Sequence, residues 1–141
     1  TTPSLLGGDS VTDAHISSIT DSIILLRYVE IFGELGVGSV EVMDFDTRRD
    51  ADEPGRVERI ARATGVFFTG GNQLRLATLI GGTAVAKAIR MANAHGAHVA
   101  GTSAGAAFLS EHMIAFGEEG ATPIAGMVRL APGLGLTNRF V

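Results

Sequence analysis

Residues 98–107 read HVAGTSAGAA, and this stretch decides the fold. HVAG is short and apolar and ends on glycine, the pattern of a buried strand in a parallel sheet. The run after Ser103 is small and apolar, which predicts a helix packed tightly on that sheet over residues 104–113. Between the two lies Gly-Thr-Ser-Ala-Gly. A serine on a strand–turn–helix of this kind is the context of a nucleophile elbow. The turn is tight, so its flanking residues must be small, and Gly101, Ala104, Gly105 and Ala106 meet that demand. Ser103 would stand at the carboxyl end of its strand, where open α/β sheets place their ligands. The N–H of Ala104 would face the same point from a helix N-terminus, where it could stabilise an oxyanion. Any small-residue turn can hold a serine, so the pentapeptide alone does not establish chemistry.

Working outward, GVFFT (65–69) is a second apolar run bounded by glycine and predicts another buried strand. Gly70-Gly71-Asn72 is a turn, and residues 73–79 form a short helix. Paired glycines expose backbone N–H groups, so Gly70 or Gly71 could complete an oxyanion hole with Ala104, and Asn72 and Gln73 could hydrogen-bond a substrate. The plain alternative is a glycine turn with Asn72 as an N-cap. Residues 83–95 carry Val85, Ile89 and Ala92 on one helical face, with Thr83 as N-cap. Upstream, residues 22–35 place Ile24, Leu25, Tyr28, Val29, Phe32 and Leu35 at helical spacing, stopped by Gly36 and Gly38. SVEVMDF (39–45) alternates like a strand, with Val40, Val42 and Phe45 inward. Residues 47–55 form a charged loop, and Pro54 opens a helix that runs to about Ala63. Residues 1–21 are rich in Gly, Ser, Thr and Asp and read as a loop. Downstream, residues 117–126 read as a polar loop, 127–130 as a strand and 132–138 as a glycine-rich turn. Strand and helix therefore alternate, which predicts one α/β domain over residues 1–141 with a mostly parallel sheet and helices on both faces. There is no internal repeat and no linker.

Composition bounds the function. The chain has 141 residues, a net charge of -4, 45% hydrophobic and 18% charged residues. That suits a packed domain rather than a disordered segment. No basic patch or stripe invites nucleic acid. Cysteine is absent, which excludes disulfides, thiolate metal sites and a cysteine nucleophile. No apolar run is long enough to span a membrane, and the N-terminus has no signal-peptide pattern. A cytoplasmic protein is the expectation, with secretion as the alternative. Both ends look cut, so an incomplete domain is expected.

A serine hydrolase needs a base, usually histidine, oriented by a carboxylate. His15 falls in the leading loop. His95 and His98 fall at the amino end of the sheet, and His112 lies two turns beyond Ser103 on the predicted helix. None is placed as a base. Glu118 and Glu119, in the loop after the elbow helix, could supply the carboxylate or be solvated loop acids.

Four motifs in order, VFFTGGNQLRL (66–76), GGT (81–83), VAGTSAGAA (99–107) and PGLGL (132–136), make the chain resemble the cyanophycinases and, more distantly, the aspartyl dipeptidases. The resemblance runs from about Tyr28 to the end of the chain. It implies a class I glutamine amidotransferase-like α/β fold and a serine exopeptidase with no metal or organic cofactor. The implied substrate is cyanophycin, a polyaspartate bearing arginine, cut to β-aspartyl-arginine dipeptides. It further implies Ser103 as nucleophile, Ala104 and Gly71 (or Gly70) as oxyanion donors, Gln73 as a substrate contact, and Glu118 as the acid with Glu119 as a near alternative. In the family the catalytic histidine and arginines for substrate carboxylates come after the GLGL stretch, which places them beyond Val141. Residues 4–21 do not match the family pattern closely, and Thr1-Thr2-Pro3 resembles the tail of a missing first strand. A homodimer is a further expectation. The alternatives are an aspartyl or isoaspartyl dipeptidase of the same fold, and an inactive module whose glycine loops bind a peptide or anion.

Overall fold

A computed structural model describes residues 12–17, 22–117, 126 and 128–141. Its centre is a four-stranded parallel sheet in the order β2-β1-β3-β4, where β1 is Thr12–Ser17, β2 Ser39–Asp44, β3 Gly65–Phe68 and β4 His98–Gly101. The chain steps from β1 to β2, then returns across β1 to β3. Parallel crossovers are right-handed, so this reversal puts the intervening helices on opposite faces. Helix α1 (Ser22–Glu34) covers one face, where Tyr28 and Phe32 pack on Phe67 at ring separations of 5.3 and 5.2 Å. Helices α2 (Pro54–Arg62) and α4 (Ala84–Ala94) pack together on the other face. There Ile60, Val85 and Ile89 meet Val66 and Phe68 in one apolar cluster. The opposed neighbours Phe67 and Phe68 are the strand alternation that sends successive side chains to opposite faces.

Caps set the helix boundaries. Thr83 accepts the N–H of Ala86 and donates its own hydroxyl to Ile80 at 2.6 Å, as an N-cap. Asn72 accepts the N–H of Arg75 at 3.0 Å and starts α3 (Gln73–Ile80). The charged loop before α2 contains a 3-10 turn, Arg48–Asp52, whose entry is held by Asp50 accepting the N–H groups of Thr47 and Asp46.

Several expectations are corrected. The leading segment is not all loop: Thr12–Ser17 forms β1 at the middle of the sheet, paired on both sides, and His15 lies in it. Its polar composition hides the strand, because long-range pairing with β2 and β3 stabilises it rather than local propensity. Thr1-Thr2-Pro3 and residues 4–11 lie outside the described residues. Val40 and Val42 are only half-buried, and Met43 takes the buried position on β2. The elbow helix is shorter than predicted. Helix α5 is Ala104–Phe108, and the chain then enters β5, His112–Gly117, which pairs antiparallel with β6, Val128–Pro132. His112 therefore begins a strand and is not on the elbow helix.

The cause lies downstream. Residues 133–136 fold back onto the end of α5, where the N–H groups of Gly133, Leu134, Gly135 and Leu136 bond to the carbonyls of Glu111, Phe108, Ser110 and Leu109. The carbonyls of Phe108 and of the C-cap Leu109 belong to the helix end and those of Ser110 and Glu111 to the turn beyond it, so the returning segment takes acceptors that a longer helix would have used. Gly133 fits only without a side chain, since a Cβ there would stand 2.1 Å from the Ser110 carbonyl oxygen.

Candidate active site

Ser103 sits between β4 and α5 with φ 53° and ψ -121°, and among the described residues it is the one non-glycine at positive φ. A residue with a Cβ held there costs about 1–3 kcal/mol. The surroundings enforce it. Thr102 donates its N–H to Phe68 at 3.0 Å and accepts that of Gly105 at 2.9 Å, which closes the turn. Gly101 and Gly105 are pressed together: a Cβ on Gly101 would lie 2.6 Å from the Gly105 carbonyl carbon. A Cβ on Gly105 would lie 2.3 Å from the Phe68 carbonyl oxygen, so α5 starts in backbone contact with the end of β3. The need for small residues in this turn, read from sequence, thus has a geometric cause. Beneath it, Phe108 packs edge-on to Phe68 at 5.5 Å and both are fully buried. Ser103 itself is exposed.

Because β3 and β4 pair with Phe68 opposite Gly101, the loops after them are neighbours. Gly70 stands beside the serine, with room such that an added Cβ would lie 3.4 Å from Ser103 Cβ and 3.8 Å from Oγ. Gly71 is next at φ 135°, a conformation that favours glycine. No described hydrogen bond engages the N–H of Gly71 or of Ala104, the first residue of α5. The structure therefore brings Ser103, Ala104, Gly70 and Gly71 to one end of the sheet. Asn72 spends its side-chain oxygen on the α3 cap. Gln73 is tied elsewhere: its Nε2 donates to the carbonyls of Ile114 at 3.0 Å and Ala115 at 3.3 Å on β5. The sequence carried no signal for this bond, since its partners are backbone atoms some forty residues away.

His95, His98 and His112 do not join this cluster. His98 opens β4 at the end of the strand opposite Ser103, paired with Gly65. His95 caps α4 with its Nδ1 2.6 Å from the Met91 carbonyl, and His112 is exposed at the start of β5. His15 lies within β1. Glu118 and Glu119 lie outside the described residues. The carboxyls with displaced pKa values are remote from the elbow: burial and the neighbouring Asp46 raise that of Asp44, and hydrogen bonds from Thr47 lower that of Asp50. Among the described residues no cluster of three His, Asp or Glu side chains is arranged to hold a metal ion.

An α/β domain with a strained serine at a strand–helix turn, beside a glycine loop, defines a class of hydrolase-like folds. Comparison with known proteins narrows it. Residues 14–140 match the model of Peptidase family S51, and the chain belongs to that family. It is 42% identical over 132 residues to the cyanophycinase of Nostoc sp., a match covering 93% of this chain and 44% of the relative. The chain thus spans under half the length of that relative. Among solved structures it is similar to a peptidase from an acI-B1 Actinobacterium, with a TM-score of 0.69 and 25% identity over 89% of this chain and 51% of that one. A short stretch of 38 residues, 27% of this chain, is also 76% identical to the circadian clock protein KaiC3 of Synechocystis sp., of which it covers 8%.

Proposed function

We propose that the whole protein is a serine exopeptidase of cyanophycinase type, which releases β-aspartyl-arginine dipeptides from cyanophycin. The observation that carries this reading is the backbone of Ser103. A positive φ at a non-glycine residue is costly, and such strain is concentrated at functional sites. Here Ser103 is exposed and lies beside Gly70, and no described hydrogen bond engages the N–H of Ala104 or of Gly71. In the proposed reaction Ser103 Oγ bonds to the scissile aspartyl carbonyl carbon. Its proton passes to a histidine that the resemblance places after the PGLGL stretch, oriented by Glu118 or Glu119. The N–H groups of Ala104 and of Gly71 or Gly70 hold the oxyanion. The amine leaves with the proton, and water hydrolyses the resulting ester. Preorganised donors of this kind each contribute about 3–4 kcal/mol to such reactions. Asn72 and Gln73 border the substrate. The reaction needs no cofactor. A homodimer in the cytoplasm belongs to the same proposal, and sedimentation equilibrium of the whole protein checks the assembly.

The test is release of β-aspartyl-arginine from cyanophycin by the whole protein beside its Ser103→Ala variant. Loss of about four to six orders of magnitude in rate is expected. Unchanged turnover in the variant would overturn the nucleophile. Hydrolysis of aspartyl dipeptides in place of cyanophycin would keep the nucleophile and replace the substrate.

A further inference from the structure

We propose that Arg90 is a positioning residue, which locks residues 132–136 as a clamp on the far end of the helix that carries Ser103. Its effect on turnover rests on the peptidase reading above. Residues 132–136 read PGLGL, and the structure places them at the end of α5 away from Ser103. Two glycines let them come so close. Gly133 presses on the Ser110 carbonyl, and Gly135 holds φ 78°, a conformation that favours glycine. Between them Leu134 belongs to the core and is 1% exposed. Its N–H donates to the carbonyl of Phe108, the last residue of α5, at 2.6 Å. Its own carbonyl accepts from Arg90 Nη1 at 3.3 Å. Arg90 stands near the end of α4, forty-four residues away in sequence. Leu134 is thus held by two layers at once, the elbow helix through its N–H and the α2–α4 layer through its carbonyl.

That bond matters because nothing described takes its place. Among the described residues no other donor reaches the Leu134 carbonyl, and no carboxylate pairs with Arg90. Leu134 is closed to water, and a buried carbonyl left without a donor is costly. Without the guanidinium the segment must shift until that oxygen finds water. It cannot shift alone, since the N–H groups of residues 133–136 are bonded to the carbonyls of residues 108–111. The end of α5 moves with it. That helix has five residues, about 7.5 Å of rise, so Ser103 and Ala104 lie little more than one turn from the clamp. Gly70 belongs to the loop after β3, so a shift of α5 changes its distance from Ser103. The serine and the glycine loop beside it are kept in step by an arginine on another helix.

Two substitutions test this in the whole protein. Arg90→Met keeps an apolar stem without a donor, and Arg90→Lys keeps a donor. Arg90→Met is expected to lower kcat about tenfold, with KM within about twofold, because misplacing reacting groups by an ångström costs on the order of a hundredfold. Arg90→Lys is expected to keep most of the wild-type rate. The amides of residues 133–136 should exchange faster in the methionine variant, while those of β1 and β3 keep their rates. A rise in KM at constant kcat would make Arg90 a substrate contact and overturn the clamp. Unaltered exchange at Leu134, or a lysine variant no faster than the methionine one, would overturn it as well. If the wild-type protein hydrolyses neither cyanophycin nor aspartyl dipeptides, the peptidase reading fails, and exchange at Leu134 alone still decides the clamp.

Discussion

Ser103 combines a reactive oxygen with an unfavourable backbone, and two substitutions separate them. Alanine removes the oxygen and keeps the Cβ, whereas glycine removes both. Relief of strain, about 1–3 kcal/mol, exceeds the cost of glycine's extra freedom in the unfolded chain, about 0.5–1 kcal/mol. Ser103→Gly is therefore expected to be more stable than Ser103→Ala in denaturant melts, and equal stability would mean an unstrained turn. Gly105→Ala acts oppositely. Its methyl would press on the Phe68 carbonyl, backbone against backbone, and overpacking of that kind costs about 1–3 kcal/mol or more. Gly70→Ala meets only ordinary contacts. It is expected to fold normally and lose turnover, since the new methyl sits beside Oγ. The need for small residues around Ser103 was legible in the sequence because a tight strand–helix turn admits few residue types. The sign of φ and the closeness of Gly70 were not, because both depend on the pairing of β3 with β4.

Asp50 shows how a short element carries pH dependence. Its carboxylate accepts the N–H groups of Thr47 and Asp46, which lowers its pKa below the ordinary carboxylate range. A depressed pKa gives stability that is present above the unfolded value, about 3.9, and is lost as pH falls through the folded one. Asp50→Asn should therefore flatten the acid limb of a melting-temperature profile below about pH 4 and leave its shape unchanged from pH 6 to 8. In the turn between α3 and α4 Thr83 caps α4, and Thr83→Ala is expected to cost about 1 kcal/mol by thermal melting. Helices α1 to α4 were readable from apolar spacing and caps. Strand β1 was not, because residues 12–17 owe their conformation to two neighbouring strands. The split of residues 104–117 into α5 and β5 was hidden for a similar reason, since residues 133–136 take the carbonyls that would have continued the helix.

The layers of the molecule meet at Phe68. It ends the central strand β3, fills the core with Ile60 and Ile89, and supports α5 through Phe108. Phe68→Ala is expected to cost about 3–5 kcal/mol in a urea titration of the whole protein. The three-layer plan was legible from the alternation of apolar strands with amphipathic helices. The site is only partly legible from this chain: Ser103 and both glycine loops come together, while Glu118 and Glu119 lie outside the described residues and His95, His98 and His112 stand apart from Ser103.

The closure of α5 by residues 133–136 also has a temporal meaning. During synthesis the serine leaves the ribosome before the segment that completes its helix. A chain released up to Leu130 contains every atom of the elbow, yet the carbonyls of Phe108, Leu109, Ser110 and Glu111 still lack their partners. The bonds that shape the turn at Ser103 can therefore form before those that finish the end of its helix.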